Sequence, residues 1–168
     1  MGTIIKIGVF HQPVRQRIQP NHTTAMSTLE RAIAIAAQSH AGQLDKAGQP
    51  YILHPIRVML SVDGLNERIA AVLHDVVEDS SVTLDQLAAE GFPHEVLSAV
   101  QALTKQSGES RLEAAQRAAA NPIARRVKLA DNAENMDLSR IANPTAKDHA
   151  RLEEYRKVRE ILLAPGAA

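Results

Sequence analysis

Ala70-Ala71-Val72-Leu73-His74-Asp75-Val76-Val77-Glu78-Asp79 sets four ionisable side chains into a run that is otherwise apolar. With Ile69 before it, the spacing of Val72, Leu73, Val76 and Val77 predicts one strongly buried helix from Asn66 onward. On such a helix His74 and Glu78 lie one turn apart, as do Asp75 and Asp79, so two polar stripes project from adjacent faces. Charged groups are costly to bury unless they are paired or bound to metal. Two readings are open. In one, a buried histidine bonds a neighbouring carboxylate while Glu78 and Asp79 end the helix in water. In the other, the cluster is a chemical site.

Working outward, the rest of the chain reads as helical. A capping box at Ser27-Thr28-Leu29-Glu30 opens a first helix that runs to about His40. Gly42 and Gly48 frame a polar loop around Asp45 and Lys46, and a short helix follows His54-Pro55. Thr83-Leu84-Asp85-Gln86 is a second capping box; Pro93 starts the next helix, which ends near Thr104. An alanine-rich helix, one from Asn121-Pro122 to about Leu138, and a last one from Asn143-Pro144-Thr145 complete about eight helices, with no strand and no repeat. That last helix, dense in Lys, Arg and Glu, reads as a solvated, ion-paired face, with Arg151 and Tyr155 the residues that would edge a pocket.

Composition agrees with a single all-α domain. The chain has 168 residues, 45% of them hydrophobic but only 2% aromatic, so its core is built from Ala, Leu, Ile and Val. Nineteen Lys and Arg balance nineteen Asp and Glu, which argues against a broad nucleic-acid-binding surface. The absence of cysteine excludes disulfides, thiolate nucleophiles and Cys-based zinc sites. No apolar run approaches the ~18 residues of a membrane span, so a cytoplasmic protein is expected. Residues 1–25, rich in Gln, His and Pro, are expected to form a loose arm ahead of a domain spanning 26–168.

Two further segments bear on the His-Asp pair. Val127-Lys128-Leu129-Ala130-Asp131 ends on a carboxylate, with Asn135 one turn further along the same face. Alone, Asp131 is as readily a partner for Arg125 or Lys128. Pro50-Tyr51-Ile52-Leu53-His54-Pro55 places His54 at a helix start, where alone it reads as a turn residue. Together His54, His74, Asp75 and Asp131 supply two imidazoles and two carboxylates, a donor set that suits Mn, Fe, Zn or Mg.

These elements, in this order, resemble the HD superfamily of metal-dependent phosphohydrolases, and in particular the hydrolase domain of RelA/SpoT-type enzymes and the small alarmone hydrolases. The resemblance covers most of 29–138. It rests on Ser39-His40-Ala41-Gly42-Gln43, Gly48-Gln49-Pro50-Tyr51-Ile52-Leu53-His54-Pro55, His74-Asp75-Val76-Val77-Glu78-Asp79, Leu103-Thr104-Lys105 and Asn121-Pro122 through Asp131. It implies an all-α HD domain, a manganese ion held by His54, His74, Asp75 and Asp131, and an acidic pair, Glu78 and Asp79, that orients or deprotonates water. It also implies nucleotide contacts from Lys46 and Asn135, with Lys128 either an ion-pair partner or a phosphate contact, and removal of a 3′-pyrophosphate from an alarmone of the stringent response. In a metal-assisted mechanism Lys46, with Lys128 or Arg140, would offset charge on the leaving pyrophosphate.

The chain departs from this pattern in three places. Asp45 stands where the family carries an arginine that packs on the guanine base, and a carboxylate cannot stack as a guanidinium does. Leu112 and Ala115 lie where tyrosines are common, and 131–137 lacks the usual Asp-Arg-Leu-His-Asn. The expectation is a metal-dependent hydrolase of a guanosine or adenosine alarmone, with a small nucleotide as its partner. Self-association is left open. The rivals are an HD-type nucleotidase or nucleoside triphosphatase, a silent alarmone-binding sensor, and a helical interaction module with buried polar pairs.

Overall fold

The computed structural model describes residues 27–141 and 143–164, so the expected N-terminal arm lies outside the described residues. Among the described residues there are nine α-helices, a 3-10 turn and no strand; one isolated bridge joins Leu44 to Pro50. The helices are α1 (Leu29–Ser39), α2 (Leu53–Leu60), α3 (Leu65–Leu73), α4 (Val76–Asp79), α5 (Leu84–Ala89), α6 (His94–Leu103), α7 (Arg111–Ala119), α8 (Pro122–Met136) and α9 (Ala146–Leu163); the 3-10 turn is Leu138–Arg140.

The all-α expectation holds, with one helix more than expected because the buried run through the His-Asp pair is broken. α3 stops at Leu73, and α4 resumes at Val76. The break has a geometric consequence. Adjacent residues on an unbroken helix point about 100° apart, whereas here His74 Nε2 and Asp75 Oδ2 come within 3.0 Å. The two stripes on one helix are thereby replaced by two groups that converge.

α3 is the centre of the fold and packs against α1, α2, α6 and α8. Its Ile69, Ala70, Ala71, Val72 and Leu73 are all buried. Each fully buried Ile, Val or Leu contributes roughly 1.5–3 kcal/mol relative to exposure, so this helix is a rigid seat for His74 and Asp75 at its end. A second, smaller cluster of Ala115, Ala119, Val158 and Leu162 docks α9 on α7. The alanines let the two helices approach closely, and that contact carries α9 to the site.

The helix starts follow the local chemistry. Thr83 with Gln86, and Thr145 with Asp148, form capping boxes, while Asn121 accepts from the Ile123 and Ala124 amides ahead of α8. The first cap falls one residue later than the sequence suggests. Thr28 accepts from the Arg31 amide, while Ser27 donates its own amide to the Gly91 carbonyl at 3.0 Å and is drawn towards the α5–α6 connection.

Candidate active site

The three segments singled out in the sequence meet at one point. His54 enters from the first turn of α2, His74 and Asp75 from the break after α3, and Asp131 from the third turn of α8. His54 Nε2 lies 3.2 Å from Asp131 Oδ1 and 3.8 Å from Asp75 Oδ2. His74 Nε2 lies 3.7 Å from Asp131 Oδ1. One ligand atom from each of His54, His74 and Asp131 falls within 4.8 Å of the others, and Asp75 completes the ring through the contacts just given.

The protonation pattern fits a cation. His74 Nδ1 lies 2.7 Å from the Ala71 carbonyl, which requires a proton on that nitrogen and turns the Nε2 lone pair towards the carboxylates. That Nε2 is buried and has no hydrogen-bond partner. Burial by itself would lower the His74 pKa, but Asp75 and Asp131 outweigh it and raise it to about 10. Burial likewise opposes ionisation of Asp75, yet His74 and the Tyr51 hydroxyl hold it down at about 2. Asp131 is held well below the usual carboxylate range, against burial, by Lys128, His54 and His74. The cluster is thus a concentrated negative potential that draws in either a proton or a metal ion.

Several neighbours fix the orientation of these groups. Tyr51 donates its hydroxyl to Asp75 Oδ2 at 2.5 Å, and its ring sits between those of His40 and His54, with centroids at 4.9 and 5.6 Å. Asn135 donates to Asp131 Oδ1 at 2.5 Å and to its carbonyl at 3.0 Å, and Lys128 Nζ lies 2.9 Å from Asp131 Oδ2. Lys128 is therefore an ion-pair partner of Asp131 that also faces the cavity.

A cavity of about 410 Å³ opens over the cluster, a size suited to a nucleotide-like ligand. Its lining includes His54, Asp75 and Asp131 together with the cations Lys46, Lys105, Arg111 and Arg151. Burial, with Arg151 nearby, lowers the Lys46 pKa. The last helix is accordingly more than a solvated face: Asp148, Arg151 and Tyr155 form part of the wall. Arg111 lies over the Tyr155 ring at 5.0 Å. α9 docks on α7, and this long-range contact has no trace in local spacing.

The structure separates the acidic pair. Glu78 lines the cavity, and its Oε2 accepts from the Lys105 amide at 3.0 Å. Asp79 lines a second hollow with Arg31, Ser80 and Glu90. Burial, Asp75 and Glu78 all raise the Asp79 pKa. The side chain of Arg140 lies outside the described part of the chain. Asp45 turns inward, its Oδ1 accepting from the amides of Ala47 and Gln49 at 2.9 Å each. The carboxylate is thus engaged by its own loop. Tyr51 is a site residue that sequence reasoning gives no role; its signal is that of the one aromatic beside the His-Pro turn.

The model of the HD domain family matches residues 32–165. This chain belongs to the HD-domain family. Membership implies a divalent metal, and the grouping of His54, His74 and Asp131 is consistent with one. The chain is 36% identical over 141 residues to guanosine-3′,5′-bis(diphosphate) 3′-pyrophosphohydrolase MESH1 of Mus musculus, a match that spans 76% of this chain and 78% of that protein. It is 34% identical over 151 residues to a probable GTP pyrophosphokinase of Mycobacterium leprae, covering 82% of this chain but 18% of that protein. A guanosine-3′,5′-bis(diphosphate) 3′-pyrophosphohydrolase of Borreliella burgdorferi is 40% identical over 79 residues, 45% of this chain and 12% of that protein. The chain therefore spans less than a fifth of the length of these two longer relatives. A solved structure of a metazoan ortholog of SpoT that hydrolyzes ppGpp shares the HD fold at a TM-score of 0.68 and 24% identity, over 81% of this chain and 85% of that one. No helix among the described residues is long and apolar enough to cross a membrane.

Proposed function

We propose that this HD domain hydrolyses the 3′-pyrophosphate of a guanosine or adenosine alarmone. The observation that carries the reading is the convergence of His54, His74, Asp75 and Asp131 beside a cavity whose lining also includes Lys46, Lys105, Arg111 and Arg151. These four residues would hold a divalent cation, manganese in our reading. The chemistry supplied by such an ion is acidification of water and neutralisation of phosphoryl charge.

The remaining work falls to the chain itself. Water attacks the phosphorus joined to the ribose 3′-oxygen, the bond to that oxygen breaks, and pyrophosphate leaves. Glu78, at the cavity wall and held by the Lys105 amide, takes the proton from the attacking water. Asp79 stands behind it, with a proton affinity raised by its neighbours. The 3′-oxygen regains a proton and becomes a hydroxyl. Lys46, Lys128 and Arg140 offset charge on the pyrophosphate, and Asn135 is positioned beside the sugar. The activities named for the MESH1 and Borreliella relatives support this substrate class. The inward turn of Asp45 supports tolerance for either purine, because the loop then offers Leu44 and Ala47 to a base and no stacking guanidinium.

The test is incubation with ppGpp and, separately, ppApp in the presence of manganese, resolving pyrophosphate from orthophosphate. Pyrophosphate and a 3′-hydroxyl nucleotide are expected from both. Hydrolysis of nucleoside triphosphates with neither alarmone consumed would overturn the reading in favour of an HD-type nucleotidase.

A further inference from the structure

Arg57 sits one turn beyond His54 on α2 and is not part of the cavity wall. Its Nε donates to Glu134 Oε1 on α8, and its Nη2 lies 4.0 Å from Asp45 Oδ2 in the loop that precedes α2. Each of the three elements it touches carries a site group: Lys46 on the loop, His54 on α2, and Asp131 with Asn135 on α8. Glu134 is adjacent to Asn135 and one turn beyond Asp131.

The loop is built around Asp45. Its carboxylate accepts from the Ala47 and Gln49 amides, its own amide donates to the Gln49 carbonyl at 2.8 Å, and its carbonyl accepts from the Gly48 amide at 2.9 Å. Gly42 and Gly48, at φ +79° and +76°, supply the left-handed corners that let the chain turn back here. Asp45 and Glu134 have further partners, so Arg57 is one member of a network. Its distinction is reach: it hydrogen-bonds the carboxylate on α8 and faces the one on the loop at 4.0 Å, a charge–charge approach without a hydrogen bond, its buried Nη2 having no hydrogen-bond partner. Both acids are largely buried, with side chains 10% and 17% exposed, whereas Arg57 is 32% exposed. In so sheltered a place a cation between two carboxylates orders them more firmly than an exposed ion pair does.

We propose that Arg57 is a positioning residue that fastens loop 43–50 to α2 and α8 and so presents Lys46 to the phosphates of the nucleotide. Its contribution is to substrate affinity and leaves the hydrolytic step alone, because the network joins the loop to the helix backs and does not touch Glu78. The kinetic part of this proposal rests on the hydrolase reading above; the loop part does not.

The experiment uses the full chain with manganese and compares the wild type with Arg57→Met and Asp45→Asn. The second variant keeps an oxygen acceptor for the loop amides while removing the charge that faces Arg57, and it serves if the first does not fold. Arg126→Met, which removes an ion pair between α8 and Glu67 away from the cavity, is the control. With ppGpp, both test variants should raise KM by about fivefold or more and leave kcat within about twofold, with metal content unchanged. Hydrogen exchange of the peptide covering 43–50 should quicken in both and stay at the wild-type rate in the control. An unchanged KM, an unchanged exchange rate in that peptide, or a fall in kcat at constant KM overturns the proposal. Should the wild type turn over no nucleotide, the hydrolase reading fails and the exchange measurement alone decides the role of Arg57.

Discussion

Arg117 offers the sharpest test of how the acidic wall of the cavity is held. Its guanidinium closes the end of α6, donating to the carbonyls of Gln101 at 3.1 Å, Ala102 at 2.7 Å and Thr104 at 3.0 Å. It also grips Glu109 through both carboxylate oxygens, at 2.9 and 2.6 Å. The 104–110 connection is thereby pinned, and the Lys105 amide within it is the donor to Glu78. Arg117→Met keeps the apolar stem and removes the fork. Each of the three carbonyls then loses a donor, at a net ~0.5–1.5 kcal/mol apiece. The pair with Glu109, whose side chain is 13% exposed, adds a modest further contribution. A quarter of the Arg117 side chain is exposed, so water recovers part of the loss. The expected destabilisation is about 3 kcal/mol, which for a domain of this size lowers Tm by roughly 6–12 °C. Urea unfolding followed by circular dichroism at 25 °C reads it directly. Arg117→Lys, which cannot fork, should recover less than about half of the loss. A change below about 1 kcal/mol in the methionine variant would refute the idea that this fork holds the connection.

Other outcomes rest on the same geometry. Asp75→Ala should abolish both metal uptake and turnover, whereas Glu78→Ala should keep its metal, measured by elemental analysis, and lose about 10²–10⁴-fold in rate; full metal content with normal turnover in the Asp75 variant would remove that residue from the site. Tyr51→Phe deletes the hydroxyl that orients Asp75 and should weaken manganese binding about 10–100-fold, as read by titration calorimetry; an unaltered affinity would make that hydrogen bond incidental. Leu73→Ala, at the fully buried end of α3, should cost about 2–5 kcal/mol in chemical denaturation, and a loss under about 1 kcal/mol would mean that α3 is not the rigid seat of the cluster.

Residue order alone carried the helical class, most helix starts and the three segments whose His54, His74, Asp75 and Asp131 the structure brings together. Caps and glycines act over three or four residues, and the polar groups in Ala70–Asp79 stand out because burial makes them expensive. Order alone could not reveal that the helix breaks between Leu73 and Val76, since apolar spacing runs on unchanged through the interruption. At that break His74 and Asp75 meet His54 of α2 and Asp131 of α8. Residue order named Arg151 and Tyr155 as residues that would edge a pocket, but not the packing of α9 on the alanines of α7 that brings them there. Asp45 defeats a reading by residue type for the same reason: its chemistry depends on which way the carboxylate turns, and that is decided by the amides of Ala47 and Gln49 and by a cation twelve residues further on. Local hydrogen bonds and periodicity are written in neighbours along the chain, whereas the direction of a charged side chain is settled by groups that only folding brings near.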